Sequence, residues 1–355
     1  MRSGCSTKDE KQVREMHFNL HGILKFIIKG PSDTTRFIGK HYSHFFTDQV
    51  VHPDLEFIIC KFKANNSHTE FINNKYYVKE DHFYCKDAYK FAKWQICIQG
   101  LGAEETKIFF DGNKFSYPFL HAYIIEPLLA YKLTNMGHSV LHASSIDIGG
   151  KGFTFAGYPG SGKTSILLEL INRGHKYLSD ELTLLDRQGM LRSCAAPLNI
   201  YAYNLVCCPS FQKKMTKKCL MEIYLKDLIR RLSLGYMKLP HAVDLEALSY
   251  EISDQSPLEA IILLSRSTDQ KTALGREIDK KELAARLSLM SSYQFYRFYE
   301  YLNAYSTYIT ENMTYNVRVF ENILYGIRSA TCYEVEVPMN QTQSIVTELR
   351  TVLQE

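Results

Sequence analysis

The sequence predicts an α/β protein: a core of mixed sheet and helices across residues 117–355, preceded by a smaller β-rich domain at residues 1–116. Three observations carry that expectation. FTFAGYPGSGKTSILLEL, Phe153 to Leu170, reads as a strand, a glycine-rich turn and an apolar helix in immediate succession. Up to about residue 115 the chain is broken into short aromatic pieces with polar turns between them, the pattern of strands. Between these regions, apolar residues spaced three and four apart give one long helix.

In chain order, the strand-like pieces are LHGILKFIIKG, LEFIICKF, KYYVKE, KWQICIQG and TKIFFDG. The helix is YPFLHAYIIEPLLAYKLTNMG, which starts at Tyr117 and ends at Gly137, a residue suited to the C-terminal cap. SVLHASSIDI and KGFTFAG follow as two strands joined by Gly149-Gly150, a two-residue hairpin turn. With Ile148 facing Lys151, Ala143 faces Ala156 and His142 faces Gly157, so His142 falls beside the first glycine of the next loop. The helix after that loop ends at Gly174, and HKYLSDELTLLD opens a new strand. A strand, helix and strand of this length form a right-handed βαβ unit. Tyr177 to Ser179 therefore run parallel to the loop strand, and Asp180 and Glu181 emerge at the loop end.

Composition narrows the class. With 355 residues and 45% hydrophobic side chains, the chain has core enough for one large or two smaller domains without a disulfide or metal staple. A net charge of +4 is small for this length and argues against nucleic acid as the dedicated partner. The nine cysteines are odd in number and contain no CxxC pair, which suits reduced thiols in a cytoplasmic protein. MRSGCSTKDEKQVREM has no apolar signal core, and runs such as FIIC and IILL are far too short to span a bilayer. Neither secretion nor a membrane partner is expected, and the oligomeric state is left open.

Gly157 to Thr164, GYPGSGKT, matches G-x-x-x-x-G-K-[ST] in full, with the required strand before it and helix after it. Glycines let backbone N–H groups converge on phosphate oxygens, and the helix N-terminus adds partial positive charge. Lys163, expected on an exposed loop, reaches the β and γ phosphates, and the Thr164 hydroxyl ligates Mg²⁺. The predicted cofactors are ATP and Mg²⁺, and the predicted nucleotide-binding set is Gly157, Gly160, Ser161, Gly162, Lys163, Thr164 and Ser165. Two adjacent acids at the end of the parallel strand can divide the remaining work. One holds the metal, directly or through water, while the other accepts the proton of an attacking hydroxyl. Thr164, Asp180 and Glu181 are thus the candidate metal set. Asp180, His142 and Lys163 are the candidate catalytic residues, His142 on the strength of the hairpin register.

These residues resemble a family. Leu141 to Asp186, LHASSIDIGGKGFTFAGYPGSGKTSILLELINRGHKYLSDELTLLD, looks like the catalytic core of the HPr kinase/phosphorylase superfamily: a histidine strand, this loop, a helix closing in an RGH-like turn and an acidic pair. Similarity continues more weakly through AAPLNIY, the strand PLEAIILLSRS, and CYEVEVP with a final helix. The resemblance implies an HPr kinase/PEP carboxykinase-like P-loop core, His142 as the active-site histidine and Asp180 as the catalytic base. Glu181 departs from the usual second aspartate. The family's glycine-arginine-asparagine motif is missing where this chain reads IILLSRS, so phosphorolysis is not implied, and the N-terminal segment does not resemble that of the HPr enzymes. The arginine pattern of phosphoenolpyruvate carboxykinase is also missing. The layout is most similar to kinases that phosphorylate a serine of a ribosomally made precursor peptide, notably in lasso-peptide clusters. The implied partners are a nucleotide and a peptide or protein hydroxyl substrate. Kinases of other hydroxyls, P-loop nucleotidases and nucleotide-binding regulatory modules remain alternatives.

Three weaker signals complete the reading. Phe211 to Pro240 holds eight basic side chains against Glu222 and Asp227, which suits a solvated helix face, a lid or a docking surface for an acidic peptide. The aromatic run from Tyr293 to Ile309 lacks the interleaved basic residues of a base-stacking platform and reads as buried helix packing. Arg266, at the end of a core strand, could reach a transferring phosphate.

Overall fold

Alternating buried and partly buried side chains build the first part of the chain into a sheet. The structure is a computed structural model that describes residues 13–194, 197–234, 239–268, 275–306, 308, 314–338, 346 and 349. It divides into two compact units, Met1–Gly137 with Ser292–Val319, and His138–Ser291 with Phe320–Glu355. The final helix expected after CYEVEVP lies outside the described residues. Among the described residues, no helix is long and apolar enough to cross a membrane.

In the first unit, nine strands form one mixed sheet whose centre is three parallel neighbours, Leu24–Pro31, Leu55–Ile59 and Thr106–Gly112. LHGILKFIIKG is not one strand: His21 and Gly22 adopt positive φ and turn the chain between Val13–Leu20 and Leu24–Pro31. The helix expected from Tyr117 is present, with a π-helical turn at His121–Ile125 before Glu126–Asn135. Pro127 explains the turn. It has no N–H for an i→i−4 bond, and the Glu126 N–H instead reaches the His121 carbonyl. The aromatic segment packs as a helix, Tyr296–Tyr305, that buries Phe298, Tyr301 and Tyr305. Its buried hydroxyls are satisfied, Tyr301 by Asp87 at 3.1 Å and Tyr305 by the Glu80 carbonyl at 2.8 Å.

The second unit carries the glycine loop. Ala143–Ile148 and Lys151–Ala156 form the expected hairpin, in the expected register from Ile148 facing Lys151 to Ala143 facing Ala156. His142 lies one residue beyond the paired segment. Asp147 holds the turn, accepting from the Gly150 N–H at 2.8 Å and from the hydroxyls of Ser253 and Ser256. Lys176–Ser179 runs in the same direction as Lys151–Ala156, as a βαβ unit requires, although Ala143–Ile148 lies between them and pairs antiparallel with both. On the other side, Lys151–Ala156 lies parallel to Gln255–Ser267, which in turn is parallel to Thr331–Pro338. Helix Lys163–Asn172 buries Ile166, Leu167, Leu170 and Ile171 in the same core as Phe153 and Phe155. That packing fixes where the helix N-terminus points.

Candidate active site

The loop begins where the core strand ends. Gly157 has no room for a side chain: a Cβ there would stand 2.6 Å from both the Leu264 carbonyl and Ser161 Oγ. Gly162, with φ of 106°, takes the left-handed conformation that starts the helix at Lys163. No side chain caps the first turn of that helix, and Ser161 Oγ is buried without a hydrogen-bond partner among the described residues. Space beside Gly160 is open. An uncapped helix start, an unsatisfied buried hydroxyl and an open glycine flank fit a phosphate group, which would accept from all of these donors. Ser165 follows on the helix, half-buried.

Lys163 is not exposed. It is 7% accessible, because the loop curls over its amine and Nζ donates to the Gly157 carbonyl at 2.5 Å and the Tyr158 carbonyl at 3.3 Å. Burial lowers the ammonium to about 8, against the opposing pull of Asp180 and Glu181. Arg266 reaches the loop rather than open space, its Nε donating to the Gly160 carbonyl at 2.8 Å.

Asp180 sits at the end of Lys176–Ser179, where the βαβ argument places it, and is 7% accessible. The Thr164 hydroxyl donates to its carboxylate at 3.2 and 3.3 Å, and the Ser144 hydroxyl makes a short hydrogen bond to the same group. Burial raises the carboxyl above its usual range, while Ser144, Lys163 and Thr164 hold it down. Ser144 was not among the candidate site residues read from the sequence. The signal was there in the two hydroxyls of LHASSIDI, set in a strand with no solvent face. Behind Ser144, Ser145 bonds Thr154 and Thr183, each at 2.9 Å, and Ser179 bonds Thr183 at 2.5 Å. This buried hydroxyl ladder ties four strands together at the level of the acid.

Glu181 has φ of 68°, a left-handed conformation that a non-glycine residue adopts at a cost. Its carbonyl accepts the Ala143 N–H at 3.2 Å, and its carboxylate keeps solvent contact while accepting from Asn199 Nδ2 at 3.4 Å. Crowding by protein, then the Asp180 charge, raises this carboxyl. His142 lies within electrostatic reach of Lys163 and against the Glu181 backbone. Burial and then Lys163 lower the imidazole to about 4, so it is neutral at pH 7. The structure thus gathers Lys163, Thr164, Asp180, Glu181 and His142 around one loop end.

Among the described residues, no three His, Cys, Asp or Glu side chains converge as a ready-made metal cage. Mg²⁺ bound with a nucleotide needs only one or two carboxylates beside phosphate and water oxygens, and Thr164, Asp180 and Glu181 fit that demand. Chemically, the arrangement can hold an anion at the helix start and present a buried carboxylate beside it.

Several curated proteins share a limited stretch with this chain. The HPr kinase/phosphorylase of Chloroherpeton thalassium is 34% identical over 67 residues, 19% of each chain. Those of Chlorobium limicola and Chlorobaculum tepidum are 38% and 36% identical over 52 and 58 residues, 15–16% of this chain and 16–17% of theirs. The chain thus matches less than a fifth of the length of these relatives, and over that stretch it is HPr kinase-like. No protein-family model matches the chain.

Proposed function

We propose that this protein is an ATP-dependent kinase that transfers the γ-phosphoryl group to a serine hydroxyl of a peptide, of the ribosomally made, lasso-type precursor class. The observation that carries the reading is the Asp180 carboxylate, buried beside the glycine loop and held by Thr164 and Ser144. The acceptor class rests on likeness to precursor-peptide kinases. The eight described free thiols suit the cytoplasm as the place of action.

In this reading the loop N–H groups, Ser161 and Lys163 bind the nucleotide phosphates, and Lys163 exchanges its loop carbonyls for phosphate oxygens. Mg²⁺, held by Thr164 and Glu181 with Asp180 nearby, would neutralise charge on the phosphates. Asp180 accepts the serine proton as the serine oxygen bonds to the γ phosphorus and the bond to the β-phosphate oxygen breaks. Neutral His142 packs beside Lys163 and can donate or accept one hydrogen bond without adding charge. Incubation with γ-labelled ATP and serine-containing peptides, followed by mass spectrometry, tests the assignment. An added phosphate on peptide serine supports it. Label released only as inorganic phosphate identifies a nucleotidase, and binding without turnover identifies a regulatory module.

A further inference from the structure

The turn between strands His82–Tyr89 and Ala92–Gln99 departs from hairpin chemistry. With Tyr89 facing Ala92, two residues close it, a setting that favours glycine or asparagine. Here they are Lys90, at φ of 55°, and Phe91. Phe91 is 73% exposed and so adds little to the core. The neighbouring strand, Thr106–Gly112, ends at the same edge, since Trp94 faces Gly112, and the turn after it carries Phe115, 65% exposed. The two rings lie 6.3 Å apart between centroids. Asn113 clamps the turns together: its Nδ2 donates to the Phe91 carbonyl at 2.9 Å and its N–H to the Lys93 carbonyl at 3.1 Å. Two large apolar rings held side by side in water mark a contact surface.

Charge points to what meets them. Residues 88–93 and 112–119 hold three lysines, Lys90, Lys93 and Lys114, all exposed, and no acid. Lys93 and Lys114 have no ion-pair partner among the described residues. Of the flanking acids, Asp87 is bound to Lys75 and Arg297, and Asp111 accepts from Gln95 Nε2 at 2.9 Å. A protein partner would have to offer an apolar hollow matched to two protruding rings, with acids around its rim. A lipid surface supplies both without a preformed shape: acyl chains for the rings and anionic head groups for the lysines. Contact of this kind requires no spanning segment.

We infer that the paired turns at Phe91 and Phe115 bind the surface of a bilayer containing anionic phospholipid, the rings entering at the head-group level and the three lysines meeting the phosphates. The inference stands apart from the kinase reading. Its test uses the full chain and vesicles of phosphatidylserine and phosphatidylcholine in equal parts. The protein is expected to sediment with them, less so as salt is raised, and to sediment little with phosphatidylcholine alone. Lys93→Glu with Lys114→Glu should weaken binding by about tenfold or more. Phe91→Ser with Phe115→Ser should also weaken it by about tenfold or more. Lys217→Glu with Lys218→Glu makes the same change of charge at exposed positions of the second unit and should leave binding within about twofold. Circular dichroism checks that each variant folds. Phe91→Trp places a reporter at the turn, whose emission should shift to the blue on the mixed vesicles and be quenched by brominated acyl chains. None of these readouts needs phosphoryl transfer, so either proposal can fail alone.

Failure to sediment with the mixed vesicles, or an equal loss from the Lys217 and Lys218 reversals, overturns the inference. So does a Phe91→Trp emission that the vesicles leave unchanged. A dimer in analytical ultracentrifugation that Phe91→Ser with Phe115→Ser dissolves overturns it in favour of self-association.

Discussion

Replacing Glu181 with glycine should stabilise the fold while damaging the site. The backbone at 181 is held at φ of 68°, where a side chain costs about 1–2 kcal/mol and glycine costs little. Glycine returns about 0.4–1 kcal/mol of that gain through the greater freedom of its unfolded chain. The change also removes a carboxylate whose ionised form is disfavoured by crowding and by Asp180. The lost hydrogen bond to Asn199 is long and exposed and offsets little. The net expectation is a gain of about 1 kcal/mol, or about 2–4 °C in Tm for a domain of this size class. Urea denaturation at pH 7 measures it, with Glu181→Gln as the control that removes the charge and keeps the backbone cost. Glu181→Gln should capture only the electrostatic part of the gain, and both variants should weaken Mg²⁺-dependent nucleotide binding together. A loss of 1 kcal/mol or more for Glu181→Gly beside a neutral Glu181→Gln would refute the strain argument.

Three further outcomes follow from the same geometry. Lys163→Ala should abolish transfer and leave the melting transition cooperative, because the lost bonds are to loop carbonyls; near-normal turnover would contradict the phosphate role. Thr164→Ala should cause a defect partly rescued by higher Mg²⁺ or by Mn²⁺, and a loss indifferent to metal would contradict metal contact. Lys163 is lowered to about 8 in the free site, and bound phosphate favours its charged form. Nucleotide binding should therefore take up little proton at pH 7, where the ammonium is already charged, and up to one proton as pH rises above about 8. Calorimetry in buffers of different ionisation enthalpy reads this directly, and uptake that persists in Lys163→Ala would assign it elsewhere.

The hairpin register was legible because a two-residue Gly-Gly turn leaves one pairing that keeps the apolar faces buried, and Ala143 does face Ala156. The direction of Lys176–Ser179 was legible for the same kind of reason, since a strand and helix of this length must return parallel. That Ala143–Ile148 would lie between the two parallel strands was not, because local pattern is silent on which edge a hairpin presents. His82–Tyr89 was overlooked as a strand: Lys86 and Asp87 interrupt its apolar residues, and Asp87 is buried by its ties to Lys75, Arg297 and Tyr301, far away in sequence. The return of Ser292–Val319 to the first unit likewise depends on long-range contacts. At the candidate site, the motif pointed to the loop residues, and the strand, helix and strand succession put Asp180 at the loop end, where it lies. The burial of Lys163 and the Ser144 bond to Asp180 arise from how the loop and neighbouring strand close over them, which spacing along the chain does not encode.

In the proposed mechanism Asp180 is the base that receives the acceptor proton. Asp180→Asn keeps the size and an acceptor for Ser144 while removing the charge, so single-turnover phosphorylation of an identified peptide should fall by roughly 10² to 10⁴. Calorimetric titration of the same variant should find Mg-nucleotide affinity within a few-fold of the parent. Unchanged transfer, or a loss of nucleotide affinity large enough to explain the whole defect, would contradict that role.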